Sequence, residues 1–364
     1  MSLKNRNFVA DMDKILNEQQ LLLLKDKIAQ AQRVTCVCHV SPDGDALGST
    51  LGIAAWMKRL GKECRVVVPN RYPDFLLSLP NVQEIVRYDN HTAEAEQLLM
   101  HSDLIWVCDM NAPSRALGME QILSTCNELA TSEGAPFMVM VDHHLEPDAN
   151  FCNIRISRPE MCATCEVLCH LLWQLGEIGQ LSKHEATCLY VGMMTDTGAF
   201  TYASNRAVIY ECISHLLATG IDKDKIYRKI FWTYTPNRMR LIGYMLYVKM
   251  QNLTEYNTTF MTLTNEERAH LGIKNGDTEG IVNMPLQIQD MRLSAFISED
   301  TEHPEFVKFS LRSVGDFPCN EMSARFFNGG GHKNASGGRL QCTIDEAVEL
   351  FKKAVREYSH LLKG

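Results

Sequence analysis

The chain lacks any apolar run near the roughly 20 residues that a membrane-spanning helix needs. Its N-terminus, MSLKNRNFVADMDKIL, has neither an apolar core nor a small-residue cleavage site, so no secretory signal is expected. There is no basic excess either: 36 Lys and Arg stand against 44 Asp and Glu, a formal net charge of −8. That balance argues against a broad basic track for duplex nucleic acid. It leaves room for a small phosphorylated substrate, because bound divalent ions would reverse the local field of an acidic site. No Gly-Lys-Ser/Thr closes a glycine-rich loop at Walker A spacing. Internal repeats and low-complexity segments are missing too. Thirteen cysteines are present, an odd number scattered through strand-like and helix-like stretches. That distribution fits reduced thiols packed as small hydrophobes in a cytoplasmic protein, not a disulfide framework. Cys162-Ala-Thr-Cys165 has redox spacing but no thioredoxin-like surroundings, and reads as buried helix cysteines.

What is present points to an ordinary globular protein. Apolar residues make up 45% and charged residues 22% of 364 positions, enough for two domains at roughly 150 residues each. Residues 15–32 read as an amphipathic helix and Arg33 to His39 as the first strand. The loop Ser41 to Asp45 follows, then a helix from Leu47 to Leu60 and a strand from Cys64 to Pro69. Further strands are expected at Leu104–Cys108 and Phe137–Val141, and helices at 163–176 and 182–195. Strands alternating with helices predict a doubly wound α/β domain with a mainly parallel sheet over residues 15–220. A helical connector is expected over 221–250, with Pro236 opening its last helix. A smaller α/β domain is expected over 251–364, with strands at 258–263, 293–298 and 307–312 and a closing helix over 345–362.

Chemistry gathers where apolar runs stop. The segments are His39-Val-Ser-Pro-Asp43-Gly-Asp45, Leu104 to Asp109, Val141-Asp142-His143-His144 and Met194-Thr-Asp196-Thr-Gly198. Strands that end at an Asp place it at the carboxyl edge of the sheet, where open α/β folds bind ligands. Oxygen-rich donor sets with a few imidazoles suit Mn²⁺ or Mg²⁺ better than a thiolate zinc site. An Asp between two half-sites could bridge a metal pair, and such pairs clamp both the attacking and the leaving oxygen in phosphoryl transfer. Asp142 is placed to orient an imidazole, as carboxylates do beside metal-bound histidines. Arg115, six residues after Asp109, reads equally as a phosphate contact or a surface arginine.

These motifs, in this order, resemble those of the DHH phosphoesterase family. The segment Asn328-Gly329-Gly330-Gly331-His332-Lys333-Asn334-Ala335-Ser336-Gly337-Gly338 is similar to the glycine-rich signature of the DHHA1 domain. The resemblance runs from about residue 15 to the end, and is strongest to the branch of NrnA-type oligoribonucleases (nanoRNases) and bisphosphate nucleotide phosphatases. It implies a DHH domain followed by a smaller DHHA1 domain with a mixed sheet. By resemblance, His39, Asp43 and Asp109 hold one divalent ion; Asp45, Asp109, His143 and Asp196 hold another, with Asp109 shared. Mn²⁺ is the first expectation, and Mg²⁺ or Co²⁺ accept the same ligands. Among the catalytic residues Asp109, Asp142 and His144, the last is expected at the substrate, stabilising phosphate charge or protonating the leaving oxygen. Arg312 looks like the family's substrate-binding arginine. Gly329, Gly330, Gly331, His332 and Lys333 would add donors to a phosphate, although a run of glycines is also a plain turn. The family places a fourth glycine where Asn328 stands; Asn tolerates a left-handed backbone.

The resemblance further implies substrates. They are short 5′-phosphorylated single-stranded oligonucleotides, released as mononucleotides, and adenosine 3′,5′-bisphosphate. A cleft between the domains would admit a few nucleotides and not a long strand. Neither duplex nucleic acid nor a membrane is an expected partner, and a homodimer is left open. Two rivals share the metal site: an inorganic pyrophosphatase or exopolyphosphatase, and a RecJ-like single-strand exonuclease. The pyrophosphatases carry an Arg-Lys-Lys cluster, which does not occur here.

Overall fold

The computed structural model describes residues 12–129, 135–232, 234–274 and 276–363. The stretch 1–11, in which no signal sequence is expected, lies outside them. The chain divides into two compact units, Met1–Thr233 and Tyr234–Gly364. The segment expected as one connector, 221–250, is therefore shared between them. No helix among the described residues is long and apolar enough to cross a membrane.

The first unit is built on six parallel strands: β1 (Arg33–Val37), β2 (Glu63–Val68), β3 (Val86–Arg87), β4 (Leu104–Cys108), β5 (Phe137–Asp142) and β6 (Ile154–Ser157). Their order is β3-β2-β1-β4-β5-β6, with every neighbouring pair parallel. The chain reverses its direction of travel across the sheet between β1 and β4, which opens a crevice at their carboxyl ends. Both faces are apolar. Val34, Cys36, Trp106, Val139 and Val141 pack into one core, while Val37, Val107, Met138 and Met140 alternate into the other. That alternation is the strand period of two, and burial on both faces explains the near-continuous apolar runs.

Helices cover both faces. On one lie α1 (Glu18–Gln30) and α2 (Gly44–Arg59). On the other lie α3 (Thr92–Met100) and α4 (Glu120–Leu129). The first face also carries α5 (Thr164–Leu175), α6 (Lys183–Asp196), α7 (Ala207–Ala218) and α8 (Lys223–Phe231).

The packing of α2 on α6 fixes the site. Gly44, Gly48 and Gly52 recur every fourth residue along α2 and face α6. A Cβ at Gly48 would lie 2.6 Å from the Cys188 carbonyl oxygen, and one at Gly192 on α6 would lie 2.6 Å from Asp45 Oδ1. The absent side chains let the two helices approach closely and run antiparallel. The first turn of α2, with Asp45, then meets the last residue of α6, Asp196.

The second unit begins with α9 (Pro236–Tyr244), capped by the Thr235 hydroxyl. It runs into a π-helical turn over Met245–Lys249, so the expected helix 236–250 is not uniform. Its sheet contains β7 (Gln251–Leu253), β8 (Thr258–Leu263), β9 (Leu293–Glu299), β10 (Phe306–Ser313), β11 (Gly330–His332) and β12 (Ala335–Gln341). The order is β11-β12-β10-β9-β8-β7; β8 and β9 are parallel and the other pairs antiparallel, a mixed sheet. On one face pack α11 (Cys319–Phe326) and α12 (Ile344–Glu357), on the other α9. Between β8 and β9 lies α10 (Asn265–Leu271). The expected closing helix 345–362 breaks at Tyr358 into α12 and α13 (Ser359–Leu362).

Candidate metal centre

Each candidate side chain of the first unit sits at or just beyond a carboxyl strand end or at a helix terminus. His39 stands two residues past β1, and its loop is tied down by Val40 N–H donating to the Arg115 carbonyl at 2.8 Å. Asp43 is the N-cap of α2; its Oδ1 accepts from the Asp45 and Ala46 amides at 3.0 Å each. Asp45 therefore lies inside the first helical turn, where a loop through Asp45 was expected. Asp109 follows β4 directly with φ 55°, a left-handed backbone that costs a non-glycine residue about 1 kcal/mol or more. Asp142 ends β5, and His143 and His144 begin the loop after it. Asp196 is the last residue of α6, not the first beyond it, and Gly198 turns the chain at φ 53°.

Asp109 is shared. Its Oδ2 lies 3.2 Å from His39 Nε2, and its Oδ1 lies 3.6 Å from His143 Nε2. Asp43 Oδ1 is 3.9 Å from His39 Nε2 on the first side. On the second side, Asp45 Oδ2 and Asp196 Oδ2 stand 4.0 and 3.4 Å from His143 Nε2. Three groups of donor atoms, each within 4.8 Å of one another, result: His39, Asp43, Asp109; Asp45, His143, Asp196; and Asp109, His143, His144.

The imidazoles are pre-oriented. His39 donates from Nδ1 to its neighbour's carbonyl, Val40 O, at 2.8 Å, and His143 Nδ1 faces Met161 O at 3.3 Å. Both Nε2 atoms are thereby turned to the carboxylates, the pattern that fixes a metal-binding tautomer. His144 is arranged differently: its Nδ1 is 2.8 Å from Asp142 Oδ1 and its amide donates to Asp142 Oδ2 at 2.8 Å. The imidazole that Asp142 orients is thus His144.

Electrostatics follow from burial. Asp45 and Asp109 are 0% and 1% exposed. Among the described residues no Lys or Arg pairs with Asp43, Asp45, Asp109, Asp142 or Asp196. Burial, then the Asp109 charge, pushes the Asp45 carboxyl up to about 7. Asp196 is raised well above the carboxylate range by burial and by Asp45. Asp109 goes the other way. Burial opposes its ionisation, but the His39 hydrogen bond and the surrounding imidazoles hold it well below the usual range. Burial also opposes the charge on His39, yet its bond to Asp109 lifts it to about 9. His143 is raised by Asp109 and Asp45 against the same opposing burial. A cluster that holds protons this way exchanges them for cations.

The donor set fits a pair of hard or borderline divalent ions. Ligands at about 2.1 Å and near right angles around one ion stand about 3 Å apart. The observed separations of 3.2–4.0 Å need only a small inward movement. The buried carboxylates Asp45, Asp109 and Asp142, with no Lys or Arg beside them among the described residues, are otherwise costly to bury.

Several residues hold this arrangement that the motif reading missed. The Thr164 amide donates to Asp45 Oδ2 at 2.6 Å, the Cys165 amide to Asp45 Oδ1 at 3.0 Å, and the Thr164 hydroxyl to Asp109 Oδ1 at 3.0 Å. A signal existed: α5 has Ala163 at its N-cap, which offers no acceptor, so its first amides need one from elsewhere. Asn111 anchors the loop after His144 by donating to the Leu145 carbonyl at 2.6 Å. Cys162 and Cys165 are buried, and burial pushes both thiols up, away from redox reactivity.

The remaining candidates are placed as follows. Arg115 ends a short 3₁₀ turn, and its half-buried guanidinium has no hydrogen bond or ion pair among the described residues. In the second unit, Arg312 lies on β10; its Nη1 donates to the Leu311 carbonyl at 2.9 Å, and it meets no carboxylate among the described residues. The glycine-rich segment is a β-hairpin, not an open loop: Gly330, Gly331 and His332 pair with Gly337, Ser336 and Ala335. Asn328 adopts φ 47°. Gly331, at φ 136°, brings its Cα where a Cβ would lie 2.6 Å from Ala335 O. Lys333 Nζ pairs with the exposed Asp316 at 2.8 Å.

Comparison with known proteins adds the following. Residues 33–193 match the model of the DHH family, N-terminal domain, and residues 256–360 match that of the DHHA1 domain. The chain is 28% identical to the bifunctional oligoribonuclease and PAP phosphatase NrnA of Thermus thermophilus, over 88% of each chain. It is 44% identical to an exopolyphosphatase-related protein from Bacteroides fragilis, with a TM-score of 0.90 over 97% of this chain and 100% of that one. RecJ of Thermus thermophilus in complex with Mn²⁺ is similar in fold alone: 15% identity, TM-score 0.54, over 96% of this chain and 56% of that one.

Proposed function

The chain belongs to the DHH family, with a DHHA1 domain after the DHH domain, and is a hydrolase of phosphoesters; from that premise we propose that it hydrolyses short 5′-phosphorylated oligonucleotides to mononucleotides and removes the 3′-phosphate of adenosine 3′,5′-bisphosphate. The observation that carries this reading is the division of Asp109 between two donor groups, one oxygen towards His39 and one towards His143. That arrangement suits the ion pair with which two-metal phosphoesterases clamp the attacking and leaving oxygens. Substrate choice is carried from the oligoribonuclease and phosphatase of Thermus thermophilus, which the chain matches over most of its length.

We assign His39, Asp43 and Asp109 to one divalent ion and Asp45, Asp109, His143 and Asp196 to the other, with Mn²⁺ as the ion and Mg²⁺ or Co²⁺ as substitutes. When bound, such a pair neutralises phosphate charge and lowers the pKa of water. The protein's own part is positioning and proton handling. His144, held through Nδ1 by Asp142, stabilises charge on the phosphate or protonates the leaving oxygen. Arg312, free of any carboxylate among the described residues, suits a bidentate grip on a terminal phosphate. Gly329, Gly330, Gly331, His332 and Lys333 supply further donors, the Lys333 pair with Asp316 being exposed and open to exchange. Arg115 contacts phosphate beside the cluster. None of the thirteen cysteines is paired, which favours a reducing compartment, and we place the protein in the cytoplasm.

A second reading is hydrolysis of polyphosphate or pyrophosphate, favoured by the name of the Bacteroides fragilis relative. One experiment separates the two. The protein is incubated with Mn²⁺ and, in separate tubes, a 5′-phosphorylated trinucleotide, adenosine 3′,5′-bisphosphate, pyrophosphate and polyphosphate, and products are resolved by anion exchange. Turnover of the nucleotides and not the inorganic phosphates is expected; turnover of the inorganic phosphates alone would replace the first reading with the second.

A further inference from the structure

Thr164 is bonded to Asp45 and to the shared Asp109. Its amide donates to Asp45 Oδ2 at 2.6 Å and its hydroxyl to Asp109 Oδ1 at 3.0 Å. Among the described residues no other is hydrogen-bonded to both carboxylates. It is fully buried at the first position of the 12-residue helix α5. The next amide, of Cys165, takes the remaining Asp45 oxygen at 3.0 Å. Asp45 thus serves as the missing cap of α5. The partial positive charge of that helix end favours its ionised form against burial.

We propose that Thr164 is a positioning residue that sets the two half-sites relative to each other. The amide fixes the plane of the Asp45 carboxylate. The hydroxyl fixes the rotation of Asp109, whose Oδ1 it shares with the His143 side while Oδ2 faces His39. Remove the hydroxyl and Asp109 keeps its His39 contact but loses the bond that aims Oδ1. The consequence falls on the second ion more than the first. This inference rests on the two-ion reading above.

The test uses metal-free wild type, Thr164→Val and Thr164→Ser. Valine keeps the shape and the amide and deletes the hydroxyl; serine keeps the hydroxyl. Each protein is titrated with MnCl₂ by calorimetry, and the spin-coupled signal of a Mn²⁺ pair is read by electron paramagnetic resonance. Wild type and Thr164→Ser are expected to bind two ions with a coupled signal. Thr164→Val is expected to bind the second ion about 10- to 100-fold more weakly and to lose the coupled signal at stoichiometric metal. Wild-type binding and coupling in Thr164→Val would overturn the proposal, as would an equal loss in Thr164→Val and Thr164→Ser, which assigns the effect to packing. If thermal unfolding shows the valine variant misfolded, Thr164→Ala, which fits the same space, is read by the same criteria. Fewer than two ions in the wild type would instead overturn the two-ion reading.

Discussion

The Asp142 carboxylate receives two hydrogen bonds from one residue, His144: from its amide to Oδ2 and from its Nδ1 to Oδ1, both at 2.8 Å. An asparagine there must turn its NH₂ towards one of these two donors, so one bond is lost. Asp142→Asn is expected to lower kcat by about 10- to 100-fold while Mn²⁺ stoichiometry stays that of the wild type, because the imidazole we assign to the metal is His143. Steady-state kinetics beside metal analysis of the purified variant check this.

The metal-free protein should lose stability as pH rises from about 4 to 9. The Asp45 carboxyl is lifted to about 7, so its contribution is full below the unfolded value near 4 and is lost as pH rises through about 7. His39, raised to about 9, contributes fully below its unfolded value near 6.5 and loses that contribution as pH rises through about 9. Both act in the same direction. Thermal unfolding in EDTA should show Tm falling by on the order of 5 °C across this range. Saturating Mn²⁺, whose binding is strengthened by deprotonation, should flatten or reverse the trend.

Glycine at 192 is required by proximity. Gly192→Ala would press a Cβ against Cys165 Sγ and to 2.6 Å from Asp45 Oδ1, forcing α6 away from α5 and α2. A loss of about 1–3 kcal/mol is expected in denaturant unfolding, with weaker Mn²⁺ binding. Gly179, whose Cβ would meet nothing within 4 Å, is the control: Gly179→Ala should change stability by no more than about 0.5 kcal/mol.

Arg312 belongs to the second unit, so its loss should separate substrate binding from metal binding. Arg312→Ala is expected to raise KM for a 5′-phosphorylated dinucleotide roughly tenfold or more, as removal of a charge-assisted bond of about 1.5–3 kcal/mol implies. Its Mn²⁺ isotherm should match the wild type.

Much of the first domain was legible because chemistry and fold share a signal there. An apolar run stopping at Asp109 or Asp142 announces both a buried strand and a carboxyl-edge ligand, and β1, β4 and β5 lie where those runs predict. The short β6 carries no such signal: Ile154-Arg-Ile-Ser157 alternates at the sheet edge and has the length of a loop segment. The start of α2 is hidden in the sequence because Pro42-Asp-Gly44 has turn composition, while Asp43 caps the helix. The Thr164 and Cys165 contacts to Asp45 are made by backbone amides, which carry no sequence label. The glycines of α2 gained meaning only once α6 was seen against them. In the second domain, the glycine-rich segment has the composition of a turn, yet Gly337 and Gly338 sit within β12, and at Gly338 the Phe327 backbone leaves no room for a Cβ.

The most direct measurement is the number of Mn²⁺ ions retained per chain, by elemental analysis after desalting, in wild type and Asp109→Asn, with turnover of a 5′-phosphorylated dinucleotide in parallel. Two ions in the wild type, one or none in the variant, and loss of nearly all turnover is the predicted result. Two ions and unchanged turnover in Asp109→Asn would contradict a centre built on a shared aspartate.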